Sequence, residues 1–440
     1  MSVVQEAAER AVTLAKKLGA SEVKAWGSRA SEIGLKQREG RIEETSEAST
    51  QGLTLSLLVD DRYSSHSTSD LRPEALEAFL ELAVAATRYL EQDPDRRMAD
   101  RADMGAADEA ALDLCDAGFG QRGPEGRRAA VAALEQAVLA RDPGDLVSAT
   151  AHLWEVKSEA WAVFSNGFSA HKASTSFGWG SEATISEPGG KLPEAYSFWS
   201  ARHLDDVPTT GAVAEDLWQR IDETRRCGPV ESLVCPMVLD RRAVGRLLGP
   251  VLGALGGAAL WEGRSFLRDR IGDKLVPEGL EIWDDPTIPR GLGSRAFDGD
   301  GLLSKRRPVL LDGAFQAPFL NVYYARKLKQ APTSGGASNL VVPAGDTSWQ
   351  DLVADAPRAM RVTSFLGGNA NSTSGDFSFG IRGQLLEHGK PIANVAEMNV
   401  AGNLLDLLSR FVAAGDDTWT WSAWRAPSLV FADVQFSGTS

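Results

Sequence analysis

Apolar residues recur at helical spacing over positions 3–18, and Gly19 stands where a helix of that length ends. The following segment, EVKAWGSRASEIGLKQREGRIEETSEASTQGLTLSLLVDDRYSSHSTSD, changes to alternating apolar and polar positions, with turn signals at 38–41 and at Asp60-Asp61. A period of two predicts a meander of antiparallel strands. Ser69, Asp70 and Pro73 then introduce a second helix, PEALEAFLELAVAATRYLEQ, with a capping residue and an early proline at its start. DPDRRMADRADMGAADEA is charged, small and nearly free of apolar residues, which reads as a surface loop or linker. A helix at 124–140, strands between 147 and 204 with a tight turn at Ser165-Asn166-Gly167, and helical periodicity at 211–226 complete the first half.

From about position 230 the texture becomes turn-punctuated strands. Asp312-Gly313 and His388-Gly389 read as hairpin tips, NVYYARKL, SWQDLVADA and GNLLDLLSRF as short helices, and SLVFADVQFSG as a terminal strand. The pattern predicts an α+β protein of two domains that divide between 205 and 232. The first, 1–215, is expected to join helices to an antiparallel or mixed sheet, and the second, 216–440, to be mainly antiparallel β with short helices.

Composition narrows the function classes. A length of 440 residues exceeds one ordinary core, and a formal charge of -14 repels a phosphate backbone, so nucleic acid is not an expected partner. Cys115, Cys227 and Cys235 are too scattered for a disulfide framework or a CxxC zinc site. The amino terminus carries early acidic residues and no long apolar core, unlike a signal peptide or anchor. The most apolar run, 247–261, contains Pro250 and falls short of the roughly 20 residues that span a bilayer. A soluble, cytoplasmic protein is the expectation.

Catalytic frameworks are not evident. His66, His152, His171, His203 and His388 include no i, i+3 or i+4 pair. There is no GxSxG elbow, P-loop or GxGxxG after a strand. The serine-rich segments SSHSTSD and NANSTSGDFSFG read as loops and solvated strands. Cys227 follows the basic pair Arg225-Arg226, which in principle lowers a thiol pKa, but no histidine is near in sequence.

One apolar stretch raises a sharper question. GRLLGPVLGALGGAALWEGRSF sets Gly245, Gly249, Gly253 and Gly257 four apart, a glycine stripe if the segment is one helix. Such a stripe admits another backbone, either from the chain's own packing or from a molecule bound there.

This stretch, read with NVYYARKL, TSGGASNL, GGNANSTSGDFSFGIRGQLLEHGKPI and AEMNVAGNLLDLLSRFVAAGDD in that order, resembles the TldD/PmbA family, once labelled modulators of DNA gyrase. The likeness extends through GASEVKAWGSR, REGRIEE, QGLTLSLLVDDR and STSDL in the first half. In the TldD branch of that family the equivalent helix carries His-Glu-x-x-x-His, with the histidines on zinc and the glutamate as general base, followed by Glu-Gly-Asp; a late cysteine completes the site. Placing Glu262-Gly263-Arg264 on Glu-Gly-Asp puts Ala254, Leu255 and Ala259 at the motif positions, and the last cysteine is Cys235. The resemblance therefore implies the PmbA branch, also called TldE: a subunit with no catalytic or metal-binding residue of its own, paired with a TldD-like zinc subunit in a heterodimeric metallopeptidase that acts on unfolded or modified peptides. Zinc is expected in the partner and no cofactor in this chain. Glu262, Arg264, Asn369, Asn371 and Asp376 are the candidates to face a peptide or the partner, and Asp376 and Arg382 are candidates for a structural ion pair. Residues 367–380 are read either as a strand edge for an extended peptide, as the subunit seam, or as a loop entering a strand. A stand-alone peptide-binding or scaffolding protein, a homodimer included, is the alternative reading.

Overall fold

The computed structural model describes residues 2–438. Its first unit is a wholly antiparallel sheet. The strands are β1 (Glu22–Arg38), β2 (Arg41–Val59), β3 (Arg62–Thr68), β4 (Leu146–Phe164), β5 (Ser169–Ile185) and β6 (Glu194–Ala201), in the order β3-β2-β1-β4-β5-β6. The predicted tips close these hairpins: Glu39-Gly40 and Asp60-Asp61 all have positive φ, the left-handed backbone of two-residue turns.

Alternation along β1 sends its odd-numbered residues to one face, which helices cover at both ends. Helices α1 (Val3–Lys17) and α2 (Pro73–Thr87) pack on Val23, Ala25, Leu53, Leu55 and Leu57. Gly27 permits the approach, since a Cβ there would lie 2.3 Å from the Val4 carbonyl oxygen. After the single turn α3 (Glu109–Leu112), α4 (Gly123–Leu139) and α5 (Thr210–Asp222) cover Leu35, Leu153 and Ile185 at the far end. The position 215/216 lies inside α5, and Leu217, Trp218 and Ile221 beyond it pack with Val138 and Ile185, so this helix stays with the first unit to its end. The α2 N-cap is Arg72 rather than Ser69 or Asp70; Asp70 instead accepts the Arg72 backbone N–H at 3.2 Å.

In the second unit β7 (Leu233–Leu239) leads into α6 (Val244–Ala254) and α7 (Gly257–Trp261). Strands β8 (Ile282–Asp285), β9 (Arg307–Leu311), β10 (Ala314–Phe315), β11 (Asn339–Val341) and β16 (Trp424–Arg425) form one sheet; α8 (Val322–Lys327) lies between β10 and β11, and α9 (Trp349–Leu352) leads from β11 into the main sheet. The main sheet runs β14-β13-β12-β7-β17-β15, built from β12 (Ala359–Ala370), β13 (Asp376–Glu387), β14 (Lys390–Asn403), β15 (Phe411–Ala414) and β17 (Leu429–Ser437), with α10 (Leu404–Leu408) after β14. A further β14–β17 pairing closes these strands into a small barrel. The three short helices predicted from NVYYARKL, SWQDLVADA and GNLLDLLSRF are α8, α9 and α10, each capped by the Asn or Ser before it.

Two junctions join the units. Trp26, Ala162, Phe164 and Phe168 on the other face of the first sheet pack with Phe297, Leu302 and Val322. At the second, Arg361 donates to Asp240 at 2.6 Å and to Glu223 at 2.8 Å, while Arg242 binds Asp216 and lies 3.8 Å from the ring centre of Trp419.

Candidate functional site

The glycine-rich stretch is not one helix. α6 ends at Ala254 because tertiary bonds displace the helical ones: Phe319 donates its N–H to the Leu255 carbonyl at 2.8 Å and accepts the Gly257 N–H at 3.0 Å. The chain passes Gly256 in extended conformation and re-enters α7, which ends on Gly263 at φ +70. The N–H of Arg264 returns to the Ala259 carbonyl at 2.8 Å, a Schellman closure in which glycine takes the left-handed position.

The stripe divides accordingly. Cβ atoms at Gly245 and Gly257 would meet Trp424 at 2.9 Å and Tyr324 at 2.5 Å, so these two serve internal packing. Gly249 and Gly253 would meet nothing within 4 Å. Gly253 lies two turns beyond Arg246 on the same side of α6, and Arg246 reaches the carbonyls of Gly367 and Gly368 on β12 at 3.5 and 3.4 Å. The open glycine face thus stands beside the outer half of β12. That half has one free edge: β12 pairs with β7 only over Met360, Arg361 and Val362, whereas β13 accompanies it as far as Ala370.

Residues 367–380 are therefore the end of β12, a turn, and the start of β13. Asn371 shapes the turn, its side chain accepting the Thr373 N–H at 2.9 Å and its carbonyl accepting the Gly375 N–H at 2.8 Å. Asp376 accepts from the Ser374 hydroxyl at 2.8 Å and the Asn403 amide at 3.0 Å, which hold its carboxyl below the ordinary value. Asn369 is exposed and pairs with Ser378 across the hairpin. The Phe266 N–H donates to the Ser372 carbonyl at 3.0 Å and so binds this turn to the segment after α7. Glu262 and Arg264 are exposed on that segment and pair with each other. The sequence candidates thus come together in two neighbouring groups, Glu262 with Arg264 and Asn371 with Asp376. Asp376 and Arg382 do not pair: six residues apart on one strand is about 20 Å, and Arg382 reaches the Glu194 carbonyl instead. Arg246 was missed by sequence reasoning, since nothing local marks an arginine whose partners are 121 residues away.

Ala254 and Leu255 are fully buried in the core of the second unit, among Val251, Leu267 and Phe319. Ala259 is half-buried in α7. Their side chains offer no lone pair, and among the described residues no group of three His, Cys, Asp or Glu side chains converges as metal ligands would. Three of the histidines have separate partners, His203 the Asp113 carbonyl at 2.9 Å, His152 the Glu182 carboxylate at 3.2 Å and His66 the Ser64 hydroxyl at 2.8 Å. Burial raises the Cys235 thiol to about 11. Burial raises Cys227 too, and its basic neighbour Arg225 is spent on Asp145 and Asp222. The side chains at Ala254, Leu255 and Ala259 do not fit a zinc ion.

Comparison with known proteins places this geometry. Residues 232–438 match the PmbA/TldA metallopeptidase C-terminal domain and residues 27–87 match the PmbA/TldA metallopeptidase domain 1. Metalloprotease PmbA of Escherichia coli O157:H7 is 27% identical over 99% of this chain and 96% of its own length. The crystal structure of a putative modulator of DNA gyrase from Bacteroides thetaiotaomicron superposes with a TM-score of 0.95 at 34% identity, covering 99% of this chain and 98% of that one. TldE from Thermococcus kodakarensis shares the fold, with a TM-score of 0.86 at 17% identity over 98% of this chain and 100% of that one. With matching domains in both halves and a 34% identical relative along its whole length, the chain belongs to the PmbA/TldD metallopeptidase family.

Proposed function

We propose that this chain is the non-catalytic, TldE-like subunit of a heterodimeric zinc metallopeptidase that processes or degrades unfolded or modified peptides. The observation that carries the reading is the side-chain chemistry at Ala254, Leu255 and Ala259: two core aliphatics and a half-buried alanine occupy the positions assigned to ligand, base and ligand. In a TldD-like partner, zinc would supply an activated water. This chain's part is to wall the chamber and present main chain to the peptide. The open face at Gly253 and the free edge of β12 support that role, since a strand edge binds peptide backbone whatever the side chains.

Glu262, Arg264, Asn369, Asn371 and Asp376 lie on this rim as peptide- or partner-facing groups. No helix among the described residues is long and apolar enough to cross a membrane, and we place the complex in the cytoplasm. The test is metal analysis and peptidase assay of the purified chain, alone and co-expressed with a His-Glu-x-x-x-His relative. The expected result is no stoichiometric zinc and no chelator-sensitive cleavage alone, with both gained in a mixed complex. One tightly held zinc per chain, or a chain that stays a homodimer in the presence of that relative, overturns it.

A further inference from the structure

A cavity of about 630 Å³ lies away from the rim above, between the first sheet and residues 294–296 of the second unit. Its floor is the face of the first sheet opposite α1 and α2. Small residues cross four strands there, Gly52, Ser28 and Ala160 beside Lys172 in one row and Thr50, Ala30, Ser158 and Ser174 in the next. Small side chains on a strand face leave the depth, and the segment around α3 together with residues 294–296 forms the opposite wall. The volume suits a ligand of a few residues, since small-molecule sites commonly measure about 300–1,000 Å³.

Most charges lining it are already used. Arg202 donates to the carbonyls of Gly291, Thr175 and Leu292, and Arg295 to those of Ala337 and Gly336 and to the Ser334 hydroxyl. Arg29 is paired with Glu159, and Asp113 with Arg290 and His203. Two charges are left. Lys172 makes no hydrogen bond or ion pair with the described residues; its ammonium lies 4.8 Å from the ring centre of Trp26 and 5.8 Å from that of Phe297. It is open to solvent from within the cavity while protein surrounds its stem. Glu109 has its Oε1 buried without a partner, and the two are too far apart to form an ion pair with each other. Desolvation lowers the Lys172 ammonium and raises the Glu109 carboxyl from their ordinary values, so each gains from an opposite charge brought in by a ligand.

A molecule with a carboxylate and an ammonium answers both groups. The cavity wall at Thr50, Gln51 and Gly52 selects among such molecules. The last β2 residue paired with β3 is Leu53, so the outer edge of β2 from Gly52 back to Arg41 carries unpaired main-chain groups. Those groups match a peptide backbone rather than a single amino acid.

We infer that this cavity binds a short peptide with free ends, its carboxylate received by Lys172, its ammonium by Glu109 and its backbone by the β2 edge. The inference concerns the isolated chain and stands whether or not a zinc partner exists. Trp26 beneath Lys172 provides an internal fluorophore. Trialanine, N-acetyl-trialanine, trialanine amide and alanine are titrated into the purified full-length chain, with calorimetry as the second readout. The expected result is saturable binding of trialanine, weakened about tenfold or more by either blocked end and in alanine, about 1.4 kcal/mol per tenfold. Lys172→Met is expected to abolish discrimination against the amide and Lys172→Arg to restore it, while Glu109→Gln abolishes discrimination against the acetylated peptide. No saturable binding of trialanine to about 10 mM, equal binding of alanine, or discrimination unchanged in well-folded Lys172→Met and Glu109→Gln chains overturns the assignment.

Discussion

Arg361 and Asp240 are joined at 2.6 Å in the seam between the two units, and the other terminal nitrogen of the same guanidinium reaches Glu223, the C-cap of α5, at 2.8 Å. Burial by itself would raise the Asp240 carboxyl, but the Arg361 charge, the hydrogen bonds from Arg361 and the Arg242 N–H and the Arg220 charge together outweigh it and hold the group below its ordinary value. Removing Arg361 strands the buried Asp240 carboxylate and the partly buried one of Glu223. Arg361→Met is expected to cost about 3–5 kcal/mol in urea unfolding, and adding Asp240→Asn should return part of the loss. A carboxyl with a lowered folded pKa lends stability that is present above its unfolded value and disappears as pH falls through the folded one. The wild-type chain should therefore lose this contribution on acidification below about pH 4, and the double variant should lack it. An Arg361→Met chain as stable as wild type would show that the seam does not depend on this pair.

The glycines of α6 and α7 should behave differently under one substitution. Gly257→Ala drives a methyl to 2.5 Å from the Tyr324 Cβ, and Gly245→Ala drives one to 2.9 Å from Trp424. Each is expected to destabilise by about 1–3 kcal/mol. Gly253→Ala meets open space in a helix and should stabilise by about 0.4–1 kcal/mol. Gly249 is the poorer test, because Pro250 restricts any residue before it. Thermal melts of the three variants decide the matter: uniform destabilisation would mean that the face at Gly253 is closed.

Installing the sister branch's side chains should not create a metal site. Leu255 has no solvent exposure and sits in the core, so Ala254→His with Leu255→Glu and Ala259→His buries a carboxylate without a prepared partner. A fall in thermal midpoint with no gain of tightly bound zinc is expected. Recovery of a one-to-one zinc complex by metal analysis would show that the backbone at this corner is still a ligand cradle.

Burial in β7 raises the Cys235 thiol from 9.0 to about 11. The unfolded chain therefore ionises first, and stability should decline as pH rises from the lower value to the higher, then level off. Cys235→Ala should flatten that part of the profile relative to wild type, on top of a pH-independent cavity cost. At neutral pH a thiol reagent should modify Cys235 only after denaturant is added, as peptide mapping will show; rapid labelling of the native chain would contradict its burial.

Elements with a local cause were legible. The two-residue turns at Asp60-Asp61 and His388-Gly389, the caps Asn321, Ser348 and Asn403, and the long amphipathic helices follow from residues a few positions apart. Apart from the α2 cap, the errors have non-local causes. Helical spacing alone ran one helix through Leu255 and Gly256, where Phe319 captures the backbone. Electrostatic proximity in sequence gave Arg382 to Asp376, whereas the fold delivers Arg382 to β6. The cavity at Lys172 left no trace in any motif, because its floor is assembled from Ala, Ser, Thr and Gly on four strands.

By itself the sequence determined the alternation of strands and helices, the turns, and the absence of ligand atoms at Ala254, Leu255 and Ala259, because backbone preference and side-chain chemistry are properties of a residue and its near neighbours. Only the tertiary structure decided which glycines face open space, which arginines are already committed, and that Lys172 and Glu109 share a cavity with their charges unanswered. Those outcomes depend on which distant surfaces exclude water together, and the sheet register, not the spacing along the chain, sets that.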